Sequence, residues 1–124
     1  MSARVAVIYY SATSFIHQLA EALAEGARDQ GAAVRLRRVP ELAPDHVIQE
    51  NPAWQAHHDY MLQEVEEATL DDLQWSNAYA LGTPTRYGNV SAQLKQFIDQ
   101  TGGLWGGGEL ANKAATSFTS AQNM

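Results

Sequence analysis

Val5-Ala6-Val7-Ile8-Tyr9-Tyr10-Ser11-Ala12-Thr13-Ser14-Phe15-Ile16 carries the strongest structural signal in the chain. It opens with an unbroken apolar run, of the kind buried on both faces of a parallel sheet. It then passes through four small residues, three with hydroxyls. A helical pattern follows at once, with Ile16, Leu19, Ala20, Leu23, Ala24 and Ala27 on one face. A hydroxyl-rich loop between the carboxyl end of a buried strand and the amino end of a helix is where open α/β sheets bind ligands. The free amides and partial positive charge of the helix start favour a phosphate. Ser11, Thr13 and Ser14 add hydroxyl donors. The loop holds no Lys or Arg, so any phosphate would rest mainly on neutral donors. The plainer alternative is that a Ser or Thr here only caps the helix.

The chain has 124 residues, enough for one domain with a core but short for a complete doubly wound one. Acidic residues outnumber basic ones 14 to 8, for a net charge of −6. This argues against nucleic acid or an anionic membrane as the main partner. Val5 to Tyr10 is too short for a membrane span or a signal peptide. There is no cysteine, which excludes disulfides, thiolate metal sites and cysteine nucleophiles. A cytoplasmic protein is the expectation.

Outward from the opening stretch, Gly31 marks the end of the first helix. Val34-Arg35-Leu36-Arg37-Arg38-Val39 alternates in part between apolar and basic residues and reads as a half-exposed edge strand. Its arginines read as the solvated face of that strand, with an anion patch as the alternative. Pro40 to Pro52 is loop-like. Ala53 to Ala68 has helical spacing through Trp54, His57, His58, Met61, Leu62 and Val65. Adjacent histidines point to different faces of a helix and no further ligand stands at a diagnostic spacing, so His57-His58-Asp59 is not read as a metal site. Trp54, Tyr60 and Met61 make this segment a candidate subunit contact. Thr69 to Leu73 is a short capped turn, and Ala78 to Thr83 a third strand. The loop Pro84-Thr85-Arg86-Tyr87-Gly88-Asn89 comes next, then a helix over Ser91 to Gln100. Thr101 to Gly108 is a glycine-rich loop, and Ala114 to Thr119 a fourth strand, ending in Ser120-Ala121-Gln122-Asn123-Met124.

Strand and helix alternate throughout, which gives a doubly wound parallel α/β sheet. The loops Ser11–Phe15, Pro84–Asn89 and Ser120–Met124 then share one sheet edge and can build one site. G-x-G-x-x-G is absent after the first strand, and G-x-x-x-x-G-K-[ST] is absent everywhere. The strand ends lack the carboxylates of a phosphoacceptor domain. What remains is a mononucleotide held by hydroxyls and amides. FMN suits the loops, because a flat ring needs aromatic walls and Tyr87 and Trp105 are placed to supply them.

Three blocks sharpen this: Tyr10-Ser11 leading into the hydroxyl loop, Gly82-Thr83-Pro84-Thr85-Arg86-Tyr87-Gly88-Asn89, and Phe97-Ile98-Asp99-Gln100-Thr101-Gly102-Gly103-Leu104-Trp105. Together they resemble the WrbA family of flavodoxin-like NAD(P)H:quinone oxidoreductases, and the likeness runs across nearly the whole chain. The resemblance implies that Ser11, Ala12, Thr13, Ser14, Phe15 and Ile16 form the FMN phosphate loop. Pro84, Thr85, Arg86, Tyr87, Gly88 and Asn89 would line the isoalloxazine ring, with Trp105 near the quinone or nicotinamide. Ser120, Ala121, Gln122 and Asn123 would form the third flavin loop. It implies a flavin-based enzyme with no catalytic side chain and no metal, NAD(P)H and quinone as substrates, and a homo-oligomer, dimer or tetramer.

Two features depart from the family. Its phosphate loop usually reads Ser-x-x-Gly-His-Ile, whereas Ser14 and Phe15 replace the glycine and the histidine here. The family also continues past this point, through a further helix, a strand and a last helix. The 124 residues therefore read as one flavodoxin-like FMN-binding domain, truncated after its fourth strand. The rival readings are a flavodoxin-type electron carrier and a non-catalytic module that keeps the fold without the flavin.

Overall fold

The computed structural model describes residues 2–121. Strand β1 (Arg4–Tyr9) lies at the centre, flanked by β2 (Ala33–Arg38) and β4 (Ala78–Pro84), and β5 (Ala114–Ser120) lies beyond β4. A two-residue strand, β3 (Glu66–Glu67), lies beyond β2, giving the parallel order β3-β2-β1-β4-β5. Val5 pairs with Val34 on one side and Ala78 on the other. Ala6, Val7, Ile8 and Tyr9 are wholly buried, as the unbroken apolar run requires of a strand covered on both faces.

Alternate side chains of β1 serve two layers. Val7 and Tyr9 pack with Ile16 and Ala20 of α1 (Ser14–Asp29) and with Met61 of α3 (Pro52–Glu64). Ala6 and Ile8 pack with Leu73 of α4 (Leu70–Trp75), Leu94 and Phe97 of α5 (Ala92–Asp99) and Leu104 of α6 (Gly102–Gly106). Helix α1 ends where Gly31 takes a positive φ of 88°, so that its amide reaches Arg28 O and the Ala32 amide reaches Ala27 O. That is the 5→2 and 6→1 pairing of a glycine-terminated helix.

The fold class is as the sequence predicts, but several elements differ. The described residues form five strands, not four, because a strand as short as Glu66–Glu67 leaves no period in the sequence. The helix expected to run to Ala68 stops at Glu64 for the same reason. The loop from Pro40 to Pro52 contains the short helix α2 (Asp45–Gln49), and the glycine-rich loop winds into α6. On α1, His17 is buried and Leu19 is 42% exposed, the reverse of a purely apolar face.

The arginines of β2 are not a solvated face. Arg35 bonds to Asp71 and Asp72 and lies over the Trp75 ring. Arg37 reaches Asp72 at 3.2 Å and Glu66 at 3.6 Å. Arg38 donates to the Val65 carbonyl at 2.9 Å and pairs with Glu67. Asp72 is itself buried and accepts from the Thr69 amide at 2.9 Å, the return half of a capping box. The segment 65–75 is thus fastened to the flank of the sheet by charge.

Candidate functional site

The chain leaves β1, β4 and β5 at the same end of the sheet, so the segments after them converge. They enclose a cleft of about 570 Å³, lined by Ala12, Thr13, Phe15 and Ile16 on one wall and Pro84, Thr85 and Arg86 on the other. Ser120 and Ala121 complete it. The volume lies within the range of small-molecule sites.

The first wall is a helix start without an internal cap. Thr13 occupies the N-cap position but makes no side-chain capping bond. Ser11 instead folds under the turn: its hydroxyl donates to the Thr13 carbonyl and accepts from the His17 amide at 3.2 Å. The amides of Ser14, Phe15 and Ile16 have no acceptor within the helix, and an anion is their natural partner. Ser14 adopts ordinary helical geometry at the first position, and its hydroxyl accepts from Gln18 at 2.9 Å. No positive φ is required there, so Ser14 occupies the glycine position without strain.

The second wall is a closed finger. Arg86 and Asn89 exchange both backbone hydrogen bonds, at 2.9 and 3.0 Å, across a turn in which Tyr87 and Gly88 have φ of 55° and 76°. Positive φ at both central residues is the requirement of the tightest hairpin turn, and a bulky residue rarely accepts it. Below the finger, Thr83 Oγ1 donates to the fully buried Ser91 hydroxyl and accepts from the Ser91 amide, both at 3.0 Å. Ser91 in turn caps α5 by accepting from Leu94 N.

Of the residues anticipated at the site, Ala12, Thr13, Phe15, Ile16, Pro84, Thr85, Arg86, Ser120 and Ala121 meet in the cleft. Ser11 lies beneath it, and Ser14 stands exposed beside it. Tyr87 projects fully exposed from the finger tip with Gly88 and Asn89, and Trp105 stands 77% exposed on α6. Gln122 and Asn123 lie outside the described residues. Among the described residues no group of three His, Asp or Glu side chains could hold a metal, and no helix is long and apolar enough to cross a membrane.

Two hydroxyl groups at the carboxyl end of the central strand escaped the sequence reading. Tyr9 shares a buried hydrogen bond of 2.6 Å with His17 Nδ1, and His17 Nε2 meets Glu21 at 3.1 Å. Burial, then the nearby Glu21, pushes the Tyr9 hydroxyl well above its ordinary pKa. Tyr10 is likewise raised, by burial and by its bond to Glu41. The apolar run hid both hydroxyls, and no periodic signal pointed to their partners.

The sequence profile of NADPH-dependent FMN reductases matches residues 3–123. This chain belongs to that family. It is 44% identical over 121 residues to an NAD(P)H dehydrogenase (quinone) from Deinococcus radiodurans, covering 98% of this chain and 60% of that protein. It is 46% identical over 117 residues to a protein of the same name from Brucella abortus, covering 94% and 56% respectively. The chain therefore spans a little over half the length of these curated relatives. Among solved structures, a WrbA-like flavodoxin from Agrobacterium tumefaciens matches with a TM-score of 0.69 at 25% identity, over 99% of this chain and 62% of that one. Membership of the FMN reductase family accords with a parallel sheet whose cleft lies at the carboxyl ends of its strands.

Proposed function

We propose that residues 1–124 form the FMN-binding part of an NAD(P)H:quinone oxidoreductase, which reduces quinones to hydroquinones by two electrons. The observation that carries the reading is the cleft itself: three uncapped helix amides on one wall and Arg86 on the other. The donor set fits FMN. The amides of Ser14 to Ile16 and the Thr13 hydroxyl would take the phosphate. Pro84, Thr85 and Arg86 would face the ring, and Phe15 offers an aromatic surface at the rim.

FMN supplies hydride acceptance from a nicotinamide and electron transfer to a quinone. The protein supplies position. The Thr83–Ser91 contact holds one wall, the Ser11–Thr13–His17 bonds hold the other, and Arg86 places a positive charge where an electron-rich ring would lie. Arg86 is the one charged side chain among the described residues that line the cleft, and water could serve the proton exchange. Sharing of one cleft by nicotinamide and quinone makes the reaction ping-pong, with a homo-oligomer and a cytoplasmic setting as part of the same proposal.

The test is titration of the apo-protein with FMN. Replacing Ser11 and Thr13 together by Ala should weaken binding by about 1–3 kcal/mol, from lost hydrogen bonds and loosened loop geometry. Unchanged affinity would remove the phosphate-loop assignment. Parallel double-reciprocal plots with NADH and benzoquinone in a full-length relative would support the shared cleft, and intersecting lines would exclude it.

A further inference from the structure

Four segments meet at one carboxylate. Glu41 stands three residues beyond β2. Its Oε2 accepts from the Tyr10 hydroxyl at 2.5 Å and from Trp54 Nε1 at 3.3 Å. Its Oε1 accepts from the Leu42 and Ala43 amides at 2.8 and 3.0 Å, and from Gln93 Nε2 at 2.5 Å. Burial alone would raise the pKa of this carboxyl. The donors, led by Tyr10, outweigh burial and hold it below the ordinary value. It is therefore an anion at neutral pH.

The positions of two donors give the arrangement its meaning. Tyr10 directly precedes Ser11, and its own amide is held by the Gly82 carbonyl at 3.0 Å. Gln93 lies two residues past Ser91, which is locked to Thr83. Hydrogen bonds joined by short backbone steps thus run from the root of one cleft wall, through Glu41, to the root of the other.

We propose that Glu41 is a positioning residue for the cofactor site, setting the separation of the Ser11 and Pro84 walls by binding Tyr10 and Gln93 at once. The proposal rests on the cleft being the flavin site. It gives a neutral, amide-based phosphate loop its rigidity through an anion that never touches the ligand. Glutamine cannot replace it: an amide offers one oxygen and one NH₂, so one of the two donor sets meets another donor. Arg38 of β2 and His58 of α3 line the same small cavity as Glu41, and the charge of Arg86 reaches Tyr10, so these are the other charged or titratable groups near the arrangement.

Two measurements on the apo-protein decide the matter. Fluorescence titration should show Glu41→Gln lowering FMN affinity tenfold or more, and Gln93→Ala lowering it less. Tyr10→Phe added to Glu41→Gln should cost little more. The wild-type to Glu41→Gln affinity ratio cancels the titration of the FMN phosphate. It should hold steady down to about pH 4.5 and fall toward one below that, an effect that mere loss of packing would not give. Hydrogen exchange reads the coupling without flavin: Glu41→Gln should speed exchange in residues 11–16 and 91–95 together. Faster exchange confined to residues 41–44, or an affinity ratio near one at pH 7, would overturn the proposal. Should the wild type bind no FMN while exchange responds at both walls, the flavin reading fails and the coupling by Glu41 stands.

Discussion

The two flanks of the sheet are finished in opposite ways. Beside β2, three arginines are held by Asp71, Asp72, Glu66 and Glu67 and by the carbonyls at the end of α3, and β3 pairs with the strand's last two residues. Beside β4, the strand β5 has no second neighbour among the described residues, and Ala114, Ala115, Thr116 and Ser117 are all exposed. No charge or proline interrupts it from Ala114 to Ser120, the usual protections of a free edge. Among the described residues, one flank of the sheet is thus fastened by ion pairs around the buried Asp72, and the other ends on an exposed, uncharged strand. A pattern of exposure does not identify an edge: β2 reads as an edge from its sequence, yet β3 pairs outside it.

The largest effect is expected on the closed flank. Asp72→Ala would leave Arg35 and Arg37 facing each other without their shared carboxylate, and would free the Thr69 amide. Removing one member of a buried charge cluster costs about 3–5 kcal/mol, measurable by urea unfolding. A loss below about 1 kcal/mol would put the flank's stability in its apolar contacts instead.

On the open flank, a side chain at Gly82 would strike the Phe118 ring that lies across it. Gly82→Ala should cost about 1–2 kcal/mol, since overpacking is relieved by moving that ring. Phe118 is only partly buried, so its ring has room to move, and the penalty should stay below that of Asp72→Ala. The reverse order would mean that β5 is held as firmly as β2.

A smaller effect concerns association. Thr116→Lys should leave unfolding within about 0.5 kcal/mol of wild type, as exposed substitutions do. In a protein of residues 1–124 it should reduce self-association seen by light scattering, because a lysine on an exposed strand obstructs pairing with another copy. Equal scattering from both proteins would show that the edge is not where copies meet.

The smallest expected effect tests a weak point on the closed flank. His57 of α3 has a buried Nε2 with no hydrogen-bond partner. Desolvation, then the neighbouring His17 and His58, lowers its pKa below 6.5. The folded chain then binds fewer protons than the unfolded one as pH falls past 6.5, so its stability is intact above that value and declines below it. His57→Gln should flatten the thermal midpoint between about pH 7 and pH 5. An unchanged slope would assign the acid sensitivity to other groups.

The sequence made the centre of the sheet legible because burial on both faces leaves an apolar run, as in Val5 to Tyr10. It revealed the two principal loops because each follows such a strand. The arginines of β2 were misread because local alternation does not say whether charged side chains meet water or carboxylates thirty residues away. β3 was missed because two residues have no period. The cleft-lining residues Ala12, Thr13, Phe15, Ile16 and Pro84 to Arg86 are legible from their place after strands. Glu41 was not, because its role comes from partners 31 and 52 positions distant. Tyr87 and Trp105 carried a chemical expectation from residue type, whereas their orientation depends on a left-handed turn and a short helix that type does not encode.

The hairpin at Tyr87 and Gly88 has a consequence for chain length. Its strands are stapled by the Arg86–Asn89 pair, and its root by Thr83 and Ser91, so residues added at the tip lengthen a finger whose base stays fixed. The entropy of a longer loop grows only slowly with its length. The opposite wall has less freedom, because one extra residue between Ser11 and Ser14 would draw the Ser11 hydroxyl away from the Thr13 carbonyl and the His17 amide that it bridges. Variation in length therefore belongs to one lip of the cleft, and the other must stay constant.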